Sequence, residues 1–219
     1  MRNEKIYLPT LKRVRISNYS LFQKNIDYEF VLGLNLIIGG NGIGKTTFIN
    51  MIKYALIGLY KKDLDVRVYK GEKRLIRGKY SNCNTFFRNR TEEKDSDRDG
   101  AVELWFDINE TSFYVKRSLF DVKIEKATYT KDDKEYIIEG VASRQDSYKG
   151  YDYYNDKNDN TNLQYNYERI VSEESNLSDF EDLIFLLIKY CFLERVGKMS
   201  FGQELFKSVC LVVFLMIRG

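Results

Sequence analysis

Eight consecutive residues, Gly39-Gly40-Asn41-Gly42-Ile43-Gly44-Lys45-Thr46, satisfy the pattern Gly-x-x-x-x-Gly-Lys-Ser/Thr. The chemistry such a stretch can do is to hold a chain of phosphates. Phosphate oxygens must come close to backbone N–H groups, so side chains must be absent and φ unrestricted. A helix opening directly after the loop adds unsatisfied donors and a partial positive charge. Lys45 is then expected at the β- and γ-phosphates, the Thr46 hydroxyl on Mg²⁺, and Thr47 near the α-phosphate. The expected ligand is a nucleoside triphosphate, ATP with Mg²⁺.

The elements that would position this loop are legible on both sides of it. Leu34-Asn35-Leu36-Ile37-Ile38 is an apolar strand running into the glycines. Phe48, Met51, Ile52, Ala55, Leu56 and Leu59 recur at helical spacing and predict a helix with one apolar stripe, ended near Gly58. Upstream, Leu11 to Ser17 alternates basic and apolar residues as a strand with one wet face does, and Tyr28 to Val31 predicts a second short strand. Downstream, Ala101 to Asp107, Ser112 to Ser118 and Val122 to Tyr129 predict an antiparallel sheet. The sequence between, 61–99, is charged and poorly periodic. From Lys61 to Arg90 it carries ten basic residues against Asp63, Asp65 and Glu72, a balance that fits either a phosphate backbone or a solvated loop. Tyr151 to Asn162 is biased toward Asn, Asp and Tyr and predicts a loop. Ser178-Asp179-Phe180-Glu181 has the form of a capping box with Ser178 at the N-cap, opening a helix from Asp179 to Val196. Residues 204–217 are as apolar as that helix and predict another.

Composition removes several classes. The chain of 219 residues has no histidine, and its three cysteines, Cys83, Cys191 and Cys210, lack metal-ligand spacing. A histidine base, a zinc finger and a Cys-His nucleophile are excluded. A net charge of +3 sets up no global field. The polar N-terminus precedes no signal-peptide core, and the most apolar run, Val209 to Ile217, is far short of the roughly 20 residues of a membrane span. A soluble cytoplasmic protein with no membrane partner is expected.

The stretch Leu11 to Tyr19, with Phe30, Gly33 to Gly39, Asn41 to Thr47 and Tyr54-Ala55-Leu56-Ile57-Gly58, resembles the N-terminal head lobe of the SMC-like ATPases, the SbcC-type branch of the ABC superfamily. The resemblance covers about residues 8–60. It implies an α/β fold, a P-loop NTPase lobe of ABC/SMC type. That lobe would have its core at 8–60, an antiparallel β subsheet at 101–140, a flexible loop at 143–164 and apolar helices at 165–218. It also implies ATP-driven dimerisation of heads, with DNA as the usual partner, and roles in double-strand-break repair or anti-phage defence. The nucleotide-binding set it implies is Gly39, Asn41, Gly42, Ile43, Gly44, Lys45, Thr46 and Thr47, with Asn41 supporting the γ-phosphate and Ser17 and Asn18 near the nucleoside.

Tyr167-Glu168-Arg169-Ile170, Phe180-Glu181-Asp182, Phe185-Leu186-Leu187 and Phe192-Leu193-Glu194-Arg195 resemble a subgroup of the same ATPases. There Gln203 would take the place of the glutamine that contacts Mg²⁺ and the attacking water. Met199-Ser200-Phe201-Gly202-Gln203 also resembles the ABC signature Leu-Ser-Gly-Gly-Gln, and both readings of Gln203, like a plain helix start, stay open. An apolar strand ending in Asp-Glu, which would supply the general base, is not found: Leu104-Trp105-Phe106-Asp107 is followed by Ile108. The chain therefore reads as one part of a head whose hydrolysis needs a complementary C-terminal lobe or a second head, in a homo- or heterodimer. A small nucleotide-kinase-type phosphotransferase and a truncated nucleotide-binding remnant are the alternatives.

Overall fold

A computed structural model of the chain describes residues 5–19, 22, 25–39, 42–59, 65–69, 72–76, 99–120, 123–140, 161–187 and 211–216. Its elements in chain order are β1 (Thr10–Ser17), β2 (Ile26–Glu29), β3 (Leu34–Gly39), α1 (Lys45–Ile57), β4 (Asp65–Tyr69), β5 (Glu72–Ile76), β6 (Ala101–Ile108), β7 (Thr111–Ser118), β8 (Ile124–Lys131), β9 (Lys134–Ile137), α2 (Thr161–Ser175), α3 (Phe180–Leu186) and β10 (Leu211–Met216), an α/β arrangement.

Six strands form one sheet in the order β2-β1-β6-β7-β8-β9, every neighbour antiparallel. Alternation sorts its residues. Val14, Ile16, Val102, Leu104, Phe106, Ile108, Phe113 and Val115 are buried on the inner face, where α1 and α2 pack. Each such side chain contributes roughly 1.5–3 kcal/mol by leaving water. The outer face carries Arg13, Arg15, Glu103, Trp105 and Tyr114. There the guanidinium groups of Arg13 and Arg15 lie 5.3 and 5.7 Å from the Trp105 ring, and Tyr114 packs on its other flank with ring centroids 4.9 Å apart. Asp27 on β2 binds both arginines, at 2.6 and 3.2 Å. The Arg13 guanidinium, and less so Arg15, holds the Asp27 carboxyl down at about 2.

Several expected boundaries move, each for a local reason. β2 ends at Glu29 instead of reaching Val31, because Asn35 ties down the turn into β3. Its Oδ1 accepts from Val31 N at 3.0 Å, and its Nδ2 donates to Val31 O at 2.8 Å. β8 runs from Ile124 to Lys131 and turns through Asp132 and Asp133, both at positive φ (52° and 58°), into β9, a strand the sequence reading missed. Two successive left-handed residues make the type I′ turn whose twist suits a two-residue hairpin, and Asp tolerates that conformation better than most side chains. β4 and β5 form an antiparallel hairpin in register Val66↔Leu75, Arg67↔Arg74, within a segment that showed no strand pattern.

The helices are corrected too. α1 is buried on nearly every side, Ile49, Lys53, Tyr54 and Ile57 included, because it touches β3 as well as β6 and β7. α2 begins at Thr161, inside the stretch expected to be loop to residue 164. The N-cap of α3 is Asp179, whose Oδ1 accepts from Glu181 N at 3.1 Å; Ser178 Oγ instead faces Asp182 Oδ2 at 3.4 Å. Helix from 188 to 196 was also expected, and those residues lie outside the described ones. Leu211 to Met216, expected within a terminal helix, is strand β10, parallel to β3 and paired residue for residue from Leu211↔Leu34 to Met216↔Gly39. A short apolar run of Leu, Val, Val, Phe, Leu, Met looks alike to periodicity whether it is a buried helix or a buried parallel strand.

Candidate functional site

The glycine loop sits where β3 hands over to α1. Gly42 and Gly44 both have positive φ, 85° and 92°. Gly44 is the N-cap of α1, and its left-handed conformation is one that L side chains resist. A Cβ there would also lie 2.9 Å from Phe22 Cε1. At Gly42 a Cβ would meet nothing within 4 Å, so the backbone faces open space. The N-cap of α1, a glycine, brings no side chain to the first turn, and no acidic residue stands in that turn. Its first hydrogen bond runs from Phe48 N to Gly44 O at 2.8 Å. The result is a helix N-terminus with its donors and dipole directed at the loop.

Within that first turn Lys45 and Thr47 are buried and Thr46 is exposed, while Ile43 at the loop is 61% exposed. Gly39 closes β3 opposite Met216. Gly40 and Asn41 lie outside the described residues, as does Gln203 with the whole Met199–Gln203 stretch.

Ser17 ends β1 opposite Ala101, and Asn18 takes a left-handed φ of 51°. Asn18 is directed toward the β1–β2 connection and β6: its N donates to Asn25 Oδ1 at 3.0 Å and its Nδ2 to Asp99 O at 3.4 Å. The link from this end of β1 to the loop is aromatic. Phe22 N donates to Tyr19 O at 3.0 Å, the two rings meet edge-on at 5.2 Å, and Phe22 abuts Gly44.

Asp107 lies in the antiparallel sheet, as its place in the chain indicated. It binds Lys12 Nζ at 2.8 Å and accepts from Ser112 Oγ at 2.8 Å. An open cavity of about 350 Å³ lined by Trp105, Tyr114, Lys126 and Glu135 is on the outer sheet face, away from the loop. No cluster of three metal-ligating side chains occurs among the described residues.

Sequence reading missed the far end of α1. Arg117, 1% exposed, donates from Nε to Ala55 O at 2.8 Å and from Nη1 to Gln164 Oε1 at 2.7 Å. Tyr167 Oη donates to Leu56 O at 2.7 Å, and burial holds its hydroxyl well above the ordinary tyrosine range. Tyr54 Oη donates to Ser118 O at 2.5 Å. The signal was available: Phe113, Val115 and Arg117 share the parity of an inward-facing row, so the alternation of β7 put an arginine in the core.

A family model described as an AAA domain matches residues 13–208. The chain belongs to the AAA domain family. This AAA domain is also 26% identical over 130 residues to a protein named DNA double-strand break repair Rad50 ATPase, from Thermoplasma volcanium. That alignment covers 51% of the chain and 14% of the relative. Both matches bear out the resemblance to SMC-like, SbcC-type P-loop ATPases carried by residues 8–60. Among the described residues, no helix is long and apolar enough to cross a membrane.

Proposed function

We propose that this AAA domain is the ATP-binding N-terminal lobe of an SMC-like ATPase head that works on DNA, in double-strand-break repair or anti-phage defence. The observation that carries the reading is the left-handed Gly44 capping α1 behind β3, with Lys45 and Thr46 following it. The residues present fit a Mg²⁺-bound triphosphate. Gly42 and Gly44 bring no side chain to the approach, the glycine-capped helix N-terminus directs its dipole at the loop, and Thr46 is exposed in the first turn. Gly39 to Thr47 would hold the phosphates, with Lys45 the cation against the β- and γ-phosphates and Thr46 the metal-orienting hydroxyl. ATP with Mg²⁺ would supply the phosphoanhydride bond whose cleavage drives the cycle.

Hydrolysis in this reading draws on a complementary C-terminal lobe or a second head. The β3 side of the domain supports it. Val31 and Leu32 are 62% and 76% exposed before β3, and Leu36 and Ile38 are 42% and 53% exposed along it. A run of exposed apolar residues beside a ligand loop fits a surface that another lobe covers. DNA as the partner follows from the relative's name and the family resemblance.

The test is equilibrium binding of a fluorescent ATP analogue with Mg²⁺. Lys45→Ala removes a charge-assisted contact of about 1.5–3 kcal/mol, so affinity is expected to fall roughly 10- to 100-fold. Equal binding by the variant would sink the assignment.

A further inference from the structure

Arg117 occupies a position that the pattern of β7 reserves for an apolar side chain, the third of the inward row Phe113, Val115, Arg117. Burying a guanidinium is expensive, and a methionine or leucine would fill the space without that cost. Among the described residues no carboxylate is hydrogen-bonded to it, and its Nη2 has no partner. What surrounds the charge is the C-terminal end of α1. Ala55 O, an acceptor of the last turn, takes the Nε proton. The rings of Tyr54 and Tyr167 stand 5.7 and 5.3 Å from the guanidinium, within cation–π range. Gly58 ends the helix so close that a Cβ would lie 3.6 Å from Arg117 Nη1. The negative end of the α1 dipole and the buried cation compensate one another.

The same guanidinium reaches α2 through Gln164, whose Nε2 donates on to Glu168 at 2.7 Å, while Tyr167 of α2 bonds Leu56 O. α1 is thus a 13-residue rod with the glycine loop at one end and a polar joint to α2 at the other. We propose that Arg117 is a positioning residue that couples occupancy of the glycine loop to α2, acting through the C-terminal end of α1. This rests on the nucleotide reading of the loop. A displacement of α1 at its N-terminus is carried along a rigid helix into a contiguous hydrogen-bonded joint, the physical form a coupling path takes. The planar fork fixes two N–H donors on different nitrogens toward Ala55 O and Gln164 Oε1, a geometry that the single nitrogen of a lysine ammonium does not reproduce.

The experiment is hydrogen–deuterium exchange of α2 in the full chain, with and without adenylyl imidodiphosphate and Mg²⁺, with nucleotide affinity measured on the same samples. In the wild type, nucleotide is expected to slow α2 exchange about fivefold or more, within the usual span of coupling factors. Arg117→Met is expected to bind nucleotide and lose that protection. Arg117→Lys, which keeps the charge but not the fork, is expected to recover only part of it. Val115→Ala, a cavity on the same face that leaves the joint intact, is expected to keep it. If Arg117→Met does not fold, Gln164→Leu reads the same joint from the α2 side and is expected to lose the protection. Protection retained in Arg117→Met or Gln164→Leu, or nucleotide binding by the wild type with no change at α2, would overturn the coupling alone. Absence of nucleotide binding by the wild type would overturn the loop assignment, and the coupling with it.

Discussion

The two ends of α1 are built on opposite principles. At the N-terminus a left-handed glycine cap with no side chain is followed by an exposed Thr46. At the C-terminus Arg117, Tyr54 and Tyr167 tie the last turn to β7 and α2 with bonds of 2.5–2.8 Å, all in the core. One end is stripped of side chains so that something can approach; the other is filled with long polar side chains so that nothing moves unnoticed. The proposed phosphate site would draw on both, because donors at one end of a helix are of little use if the helix is free to tilt, and a helix fixed at its far end is pre-organised.

The sharpest way to break the open end is Gly44→Val. It forces a β-branched residue to φ 92° and drives its Cβ to 2.9 Å from the Phe22 ring. The expected result is loss of measurable nucleotide binding together with about 1–3 kcal/mol of stability, read by the binding assay above and by urea unfolding. Binding at wild-type affinity would show that the loop does not need the left-handed cap.

The closed end yields to a smaller change. Tyr167→Phe removes one hydroxyl and leaves Leu56 O without that donor in the core. Stability is expected to drop by about 1–3 kcal/mol in urea, with nucleotide affinity changed less than in Gly44→Val. A variant as stable as the wild type would mean that the tyrosine packs without anchoring.

Away from both ends, the Asp27–Arg13–Arg15 cluster supplies the mildest contrast. The folded Asp27 carboxyl titrates at about 2, below its ordinary 3.8. Its contribution is therefore present above pH 4 and disappears as pH falls through 2. Asp27→Asn is expected to flatten the acid limb of the stability–pH profile between those values and to lower stability at pH 7 by the same small amount, small because the group is exposed and solvent screens it. An unchanged acid limb would assign that slope to other carboxylates.

Much of this was legible in the residues. The glycine pattern, the strand before it and the helix after it are local features, and local features survive translation into structure. β6 and β7 were legible for the same reason, since alternation over eight residues leaves little freedom. The losses came where long-range packing decides. Leu211–Met216 is a strand only because β3 lies beside it to pair with, and nothing within those six residues announces the partner. α1 was expected to show one apolar stripe, yet Lys53 and Tyr54 are buried with the rest because a second element touches the helix. The N-cap shifted by one residue, from Ser178 to Asp179, because two residues of equal capping ability stand side by side and only the backbone chooses. Arg117 was visible by parity but carried no motif, and its meaning depends on Ala55 and Gln164, 62 and 47 positions distant.

The outer sheet face has a consequence in light. The chain contains one tryptophan, Trp105, held between two guanidinium groups and a tyrosine ring. Its indole emission is therefore a single-site reporter of whether β1, β6 and β7 are assembled. No other indole competes with it, and the helix that follows the glycine loop packs on the opposite face of that sheet. A nucleotide carrying a fluorophore excited outside the indole band would be followed in one channel, and the integrity of the sheet in the other, without a label on the protein.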